Sequence, residues 1–509
     1  MTPKNEFPIL EENNLILTAP DTEFGKIFSE VHDLIQREPK ILERIEQDLD
    51  KQARKKKKMR LDDQAWKIAQ NPVLPGMNTL TEKIETDKLV LQKGNHRMPP
   101  FVVFLFLIIR GYLGGIKSEV TKRFLEESIT LHLFLGSYGL KMPGLSTILD
   151  NINFVSNETR QFIFDAQIRM IMNEELDNFE ILRLDSTAVE GNTSWPTDSA
   201  MMSRLTDRIY SRGRSLDKFG IAKMKERNFV KLIKDMKKIS QTIAFEVGKK
   251  DSEKKRKKHY TMILNKARRA NEKFVKEMKT IEADALSVNL APSMKIKLIR
   301  LVEMMSDDIS DLCKVIDYCE SRVFENEKTP SNEKVLSLSD ISAAYIQKGN
   351  REAVIGYKPQ LGRSENGFVS VLITPEGNAA DSGQLDPAII EHFRCTKTIP
   401  IEISTDDGYA NKKVMEKWLE KGVSVFSISG AKGKKMTPVE DWESKSYLDA
   451  RNGRSAAESL MFHLKHSFHF GRTMRRGIDN VRAELMENVL AYNFCKMIEL
   501  KRKKLKIAA

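Results

Sequence analysis

From Phe24 onward apolar residues recur three and four apart in FGKIFSEVHDLIQ, and LERIEQDLDKQARKKKKMRL continues as charged helix to about Trp66. The stretch from Phe101 to about Asn173 again predicts helices, broken at Gly111, Gly114, Gly115, Gly136, Gly139 and the Met142–Gly144 segment. Within it, LSTILDNINFVSNETRQFIFDAQIRMI reads as two amphipathic helices around a turn near Ser156 and Asn157, a pattern compatible with a helix-turn-helix. At Phe179 the period changes. FEILRLDSTAV is short, β-branched and alternating, which predicts a strand running into the loop GNTSWPTDS. From about Asp217 to Glu327 the chain returns to long charged helix. After NEKTPSNEK, strands are predicted at 351–358 and 367–374, the second closed by the turn Pro375-Glu376-Gly377-Asn378. A helix around Asp386 to Phe393, a strand at 399–405, a helix from Lys412 to Lys421 and a strand at 423–429 come next, before a mostly helical segment from Ser455 to Lys504.

Setting the charged helical block aside as an insertion leaves strand, strand, strand, helix, strand, helix, strand, helix. That order predicts an α/β, ribonuclease H-like catalytic core whose five strands, at 179–185, 351–358, 367–374, 399–405 and 423–429, form one sheet. The expected organisation is a helical N-terminal region (1–98), a helical domain with a candidate helix-turn-helix (99–178), the first part of the core (179–212), the helical insertion (213–335), and the remainder of the core with a basic C-terminal tail (336–509).

Charge narrows the partners. With 84 Lys and Arg against 71 Asp and Glu, the formal net charge is +13, which favours a polyanionic partner, nucleic acid or a membrane surface. The most apolar run, FVVFLFLII from Phe101, is far shorter than the roughly 20 residues of a membrane-spanning helix and predicts a buried segment. The first residues show no secretory signal, so a cytoplasmic protein is expected, nucleoid-associated where its partner is DNA. Cys313, Cys319, Cys395 and Cys495 lack zinc-ligand spacing and read as reduced, packed thiols.

The chemistry is carried by carboxylates. Asp185 ends one predicted strand and Asp406, with Asp407, ends another, where side chains of an α/β sheet reach the crevice outside the strand ends. Glu458 lies on the helix after the last strand. Arg454, Glu458 and Lys465 fall within about 40° of one another on a helical wheel and form one polar stripe. Phosphoryl transfer on DNA uses such carboxylates because two divalent ions activate the attacking and leaving oxygens, and Mg²⁺ prefers hard oxygen ligands. Each residue also has a plain structural role open to it. Asp185 can cap a turn, Asp406 or Asp407 the helix near Asn411, and Ser455 with Glu458 matches a capping box.

LRLDSTAVEGNTSWPTDS, STDDGYAN and RSAAESLMFHLKHSFHFGRTMRRGIDNVRAELMENVLAYNFCKM together resemble the three catalytic blocks of bacterial insertion-sequence DDE transposases, close to the ISNCY type. The resemblance implies Asp185, Asp406 and Glu458 as catalytic and metal-binding residues. It matches the family's Asp-x-Gly-aromatic at Asp406-Asp407-Gly408-Tyr409 and its Arg-x3-Glu-x6-Lys at Arg454, Glu458 and Lys465. Arg451 stands where the family has a tyrosine, and only GAKGKKMTPVEDWESKSYLDARNG separates the last strand from the glutamate helix, so a hairpin mechanism is not implied.

The resemblance further implies a Mg²⁺-dependent enzyme using two ions, with Mn²⁺ as a substitute. It would cleave double-stranded DNA at transposon terminal inverted repeats and transfer the strand into target DNA, acting as a homo-oligomer on paired ends. Arg454, Lys465, Arg472 and the cluster Arg54, Lys55, Lys56, Lys57 and Lys58 are the expected DNA contacts. Trp195 before Pro196 is a candidate base-stacking residue. His463, His466 and His469 spread around their helix and are read as non-metal residues. The alternatives are another ribonuclease H-like nuclease, such as a junction resolvase, which would cut without joining, and a DNA-binding protein that has lost catalysis.

Overall fold

The computed structural model describes residues 23–70, 98–114, 118–137, 139–194, 197–221, 226–246, 251–348 and 352–508. Trp195 and Pro196 lie outside the described residues. In chain order the helices are α1 (Glu23–Arg37), α2 (Lys40–Gln70), α3 (Pro100–Tyr112), α4 (Ser118–Glu127), α5 (Ile129–Ser137), α6 (Leu145–Phe154) and α7 (Asn157–Asn173). Strands β1 (Ile181–Ser186) and β2 (Val189–Glu190) come next, then α8 (Asp198–Ser215), α9 (Glu226–Phe245), α10 (Ser252–Ser287) and α11 (Pro292–Glu320). Strands β3 (Ala344–Ile346), β4 (Val354–Tyr357), β5 (Gln360–Arg363) and β6 (Val369–Ile373) precede α12 (Asp381–Thr396), β7 (Glu402–Thr405), α13 (Lys412–Glu420) and β8 (Val425–Ile428). Three short helices, α14 (Ala431–Met436), α15 (Val439–Glu443) and α16 (Lys445–Gly453), lead to α17 (Ser455–Ser467) and α18 (Ile478–Ala508).

Two compact units divide the chain: Met1–Lys51 with His96–Thr193 and Ser342–Ala509, and Gln52–Asn95 with Ser194–Ile341. In the second unit α8 to α11 pack around Met202, Leu205, Ile263, Phe274, Leu298 and Leu312. Phe229 and Phe274 stack with centroids 5.0 Å apart. A buried carboxylate, Asp308 on α11, is held by Arg208 and Arg212 of α8, which offsets the cost of removing its charge from water. Cys313 on α11 is exposed, not packed as expected, while Cys319 and Cys395 are buried.

The sheet of the first unit has the order β6-β5-β1-β7-β8. β5 runs antiparallel to both β6 and β1, whereas β1, β7 and β8 are mutually parallel. Alternation sets its two faces. Leu182, Leu184, Ile403, Phe426 and Ile428 enter a core with Leu385, Ile389 and Trp418 of α12 and α13. Helix α17 packs against β1 and β5. A second sheet, β2-β4-β3, is antiparallel.

The strand expected at 351–358 does not join the five-stranded sheet. The strand formed there, β4, belongs to the small sheet, and the missing position is filled by β5, which the pattern did not single out. Pro359 supplies the reason: it has no N–H for a ladder, so one extended stretch is cut into two strands that pair in different sheets.

Two long-range ties fix the helical part of this unit. Helix α3, apolar all round, is buried against α18, and Gly111 allows the closest approach, since a Cβ there would lie 2.0 Å from the Glu487 carbonyl oxygen. Glu487 on α18 is fully buried and accepts from Arg110 of α3 at 2.7 and 2.8 Å, from Arg160 of α7 at 2.8 Å and from Arg475 at 2.8 Å. Helix α7, the second of the candidate helix-turn-helix pair, turns Arg160, Ile163, Phe164 and Gln167 into this packing. The basic stretch read as a tail is the last part of α18, where Lys501 pairs with Glu30 and Glu174 and Lys503 with Glu499.

Candidate active site

β1 and β7 carry the centre of the site. Their parallel register pairs Arg183 with Ser404, and two residues further along Asp185 and Asp406 fall level with each other at the strand ends. Both belong to the face opposite the apolar core, because Leu184 and Ile403 take the other one.

Asp185 is 7% exposed. Its Oδ1 accepts from the Ser186 backbone N–H at 2.7 Å and from the Lys348 ammonium at 2.7 Å. Asp406 begins a 3₁₀ turn, Asp407–Tyr409, and its Oδ1 accepts from the Gly408 N–H at 3.0 Å. Burial holds the Asp406 carboxyl above the ordinary range, and the charge of Asp185 pushes it further up, while Lys348 and the Gly408 N–H act in the opposite direction. The two aspartates therefore sense each other, and a cation at this spot relieves them.

Residues that pattern reading missed complete the surroundings. Asp381 opens α12 and accepts from Gln360 at 3.1 Å and from Lys358 at 2.9 Å. Gln360, on β5, in turn accepts from the Tyr409 hydroxyl. Burial raises the Tyr409 phenol well above its usual value, and Asp381, Asp185 and Asp406 raise it further. Tyr409 is the aromatic of the Asp-x-Gly-aromatic motif, so its position was legible. An acidic residue opening a helix and lysines beside short strands look like ordinary surface chemistry in a sequence, and nothing singled out Asp381, Lys348 or Lys358.

Asp407 does not face the same way. Its Oδ1 accepts from the N–H groups of Lys432 at 2.8 Å and Gly433 at 3.0 Å, capping α14, while the helix at Lys412 is capped by Asn411. Gly430 makes room for this cap: at φ 108° a Cβ on it would lie 2.7 Å from the Asp407 Cβ.

Glu458 stands on α17 with its side chain 59% exposed, accepting from Arg454 at 2.9 Å. The capping box is not formed: α17 begins at Arg454 without a side-chain cap, and the Ser455 hydroxyl donates to the Asn452 carbonyl at 3.1 Å. Among the described residues no three His, Cys, Asp or Glu side chains converge on one point, so Glu458 is not gathered with Asp185 and Asp406. Lys465 follows Glu458 on α17, and Arg472 lies 3.9 Å from Glu190 of β2. His466 packs on Phe462, centroids 4.1 Å apart. Arg451, at the family's tyrosine position, lies over the Trp442 ring at 5.0 Å. Arg54, Lys55, Lys56 and Lys58 are exposed on α2, and Lys57 is half-buried.

The family model of the transposase DDE domain matches residues 320–494. Over that stretch the chain is similar to the transposase DDE domain. The DDE domain match takes in β3 to β8, Asp381, Asp406, Glu458 and most of α18, whereas β1 with Asp185 precedes it. No curated protein and no solved structure matches the chain. No helix among the described residues is long and apolar enough to cross a membrane.

Proposed function

We propose that this chain is a DNA transposase of the insertion-sequence kind, with a ribonuclease H-like core and Asp185, Asp406 and Glu458 as its catalytic carboxylates. The observation that carries this reading is the level placement of Asp185 and Asp406 on neighbouring parallel strands within a domain whose later part matches the transposase DDE family. The strand order and directions support the ribonuclease H-like assignment: three antiparallel neighbours on one side, two parallel additions on the other.

The donors fit a hard divalent cation, because both are carboxylates and their mutual repulsion is relieved by positive charge. Asp185 and Asp406 would hold it, with Glu458 as the third ligand. When bound, Mg²⁺ would lower the charge barrier to attack on a DNA phosphate and stabilise the leaving oxygen. The chain's own residues do the rest. Lys348 holds the Asp185 carboxylate in one orientation, and the Gly408 N–H does the same for Asp406. Arg454 holds Glu458 until a DNA phosphate competes for the guanidinium, which frees the glutamate to turn toward the aspartates. At double-stranded terminal inverted repeats paired by a homo-oligomer, water attacks the end phosphodiester and breaks its bond to the 3′-oxygen, leaving a 5′-phosphate. The freed 3′-hydroxyl then attacks a target phosphodiester, forming the new bond as a target 3′-hydroxyl leaves.

The test is to incubate the purified protein with labelled terminal-repeat DNA and Mg²⁺ and map nicks and joined products. Cleavage plus joining, lost in Asp185→Asn and Asp406→Asn, is the expected result. Cleavage without joining would make it a nuclease of the same fold, and no cleavage with normal DNA binding would leave a DNA-binding protein.

A further inference from the structure

Lys348 follows β3, yet its ammonium lies at the end of β1. It donates to Asp185 Oδ1 at 2.7 Å, to Ser186 Oγ at 3.2 Å and to the Ser186 carbonyl. An ammonium surrounded by a carboxylate, a hydroxyl and a carbonyl has the hard-oxygen environment that a small divalent cation prefers. The lysine side chain is 30% exposed, so the charge can leave for solvent without unfolding the site. Its influence reaches the second aspartate as well, where it opposes the effect of Asp185 on Asp406. The other lysine nearby, Lys358, is committed elsewhere, to Asp381 at 2.9 Å and the Ala379 carbonyl at 3.3 Å.

We propose that Lys348 is a resident counter-ion of the Asp185–Asp406 pair, which keeps the carboxylates ordered before metal binds and competes with the divalent cation for Asp185. Loading the site then requires an exchange of one cation for another. The affinity for metal is set below what the bare carboxylates would give, and the ammonium released from Asp185 stays within side-chain reach of the same pocket. This inference rests on reading Asp185 and Asp406 as metal ligands.

The experiment uses the full chain without DNA. Mn²⁺ binding is measured by the electron paramagnetic resonance signal of the free ion, and thermal unfolding is followed with and without Mn²⁺, for the wild type, Lys348→Met, Lys348→Gln, Lys358→Met and Asp185→Asn. Removing a competing unit charge at contact distance is expected to tighten Mn²⁺ binding about tenfold in both Lys348 variants. Their metal-free melting temperature falls, and Mn²⁺ raises it by more than in the wild type. Lys358→Met changes the affinity less. Unchanged or weaker Mn²⁺ binding in the folded Lys348 variants overturns the proposal, as does an equal gain in Lys358→Met, which would make the effect one of general charge. If the wild type binds Mn²⁺ and Asp185→Asn does not, the metal-site reading stands whatever Lys348 does. If the wild type binds none, both fall.

Discussion

Asp406 and Asp407 are consecutive residues with opposite duties: the first faces Asp185 across the strand ends, and the second turns away to cap α14 through the N–H groups of Lys432 and Gly433. A pair that looks redundant in the sequence is divided by one step of the chain.

Substitutions should separate the two. Asp406→Asn is expected to abolish cleavage while leaving the unfolding midpoint at or above that of the wild type, because it removes a half-buried charge repelled by Asp185. Asp407→Ala should cost about 1 kcal/mol of stability, the usual value of a lost cap, and retain cleavage. Denaturant melts beside a cleavage assay decide it. Loss of cleavage in a folded Asp407→Ala protein would reverse the assignment.

Glu458→Gln keeps the shape of the side chain and its bond to Arg454 but removes the charge. With the capping box unformed, only a role in metal binding predicts that this change is severe. Cleavage in Mg²⁺ should fall by at least about two orders of magnitude, with DNA binding and circular dichroism retained. Near-normal cleavage would remove Glu458 from the site.

The Glu487 cluster predicts an acid transition. Buried among Arg110, Arg160 and Arg475, Glu487 is pushed down to about 2 by their charges against the opposing effect of burial. A carboxylate depressed in the folded state adds stability that is complete above its unfolded value, about 4.5, and is lost as pH falls toward 2. Glu30 and Glu484 are shifted upward and do not contribute to this loss. The stability gap between the wild type and Glu487→Gln should therefore be on the order of 3 kcal/mol or more near neutrality and shrink through that window. A gap that stays constant with pH would show that the arginines do not depress Glu487.

DNA affinity should fall steeply with salt, since neutralised phosphates release counterions. Replacing Arg54, Lys55, Lys56 and Lys58 together by Gln should reduce the salt slope and weaken binding to all sequences alike, because phosphate contacts position DNA without reading it. Filter binding at several salt concentrations measures both. A slope unchanged from the wild type would mean that the α2 cluster faces only water.

The helices up to Asn173 and the strands bearing Asp185 and Asp406 were legible because each has a clean period, whereas α8 was not read from the sequence and the helical block begins well before the expected Asp217. The order of strands was not fully legible. Pairing partners are decided by which ladder a segment can complete, and a single Pro359 between β4 and β5 moved one predicted strand into another sheet. The two aspartates could be found because strand ends are where such chemistry sits. Lys348, Asp381 and Gln360 could not, because they meet the aspartates only through tertiary packing, with Lys348 163 positions from Asp185 along the chain. The buried Arg110–Glu487 pair was equally hidden, its members 377 positions apart.

The small sheet holds a further consequence. β2 and β3 flank β4 on either side, and the chain leaves the first unit just after β2 and returns just before β3. Exit and re-entry are thus two ladder spacings apart, on the order of 10 Å, whatever lies between them. Such a seam can host a guest of any length so long as its own ends meet. A change of length inside the helical guest therefore need not disturb the strands that aim Asp185 and Asp406.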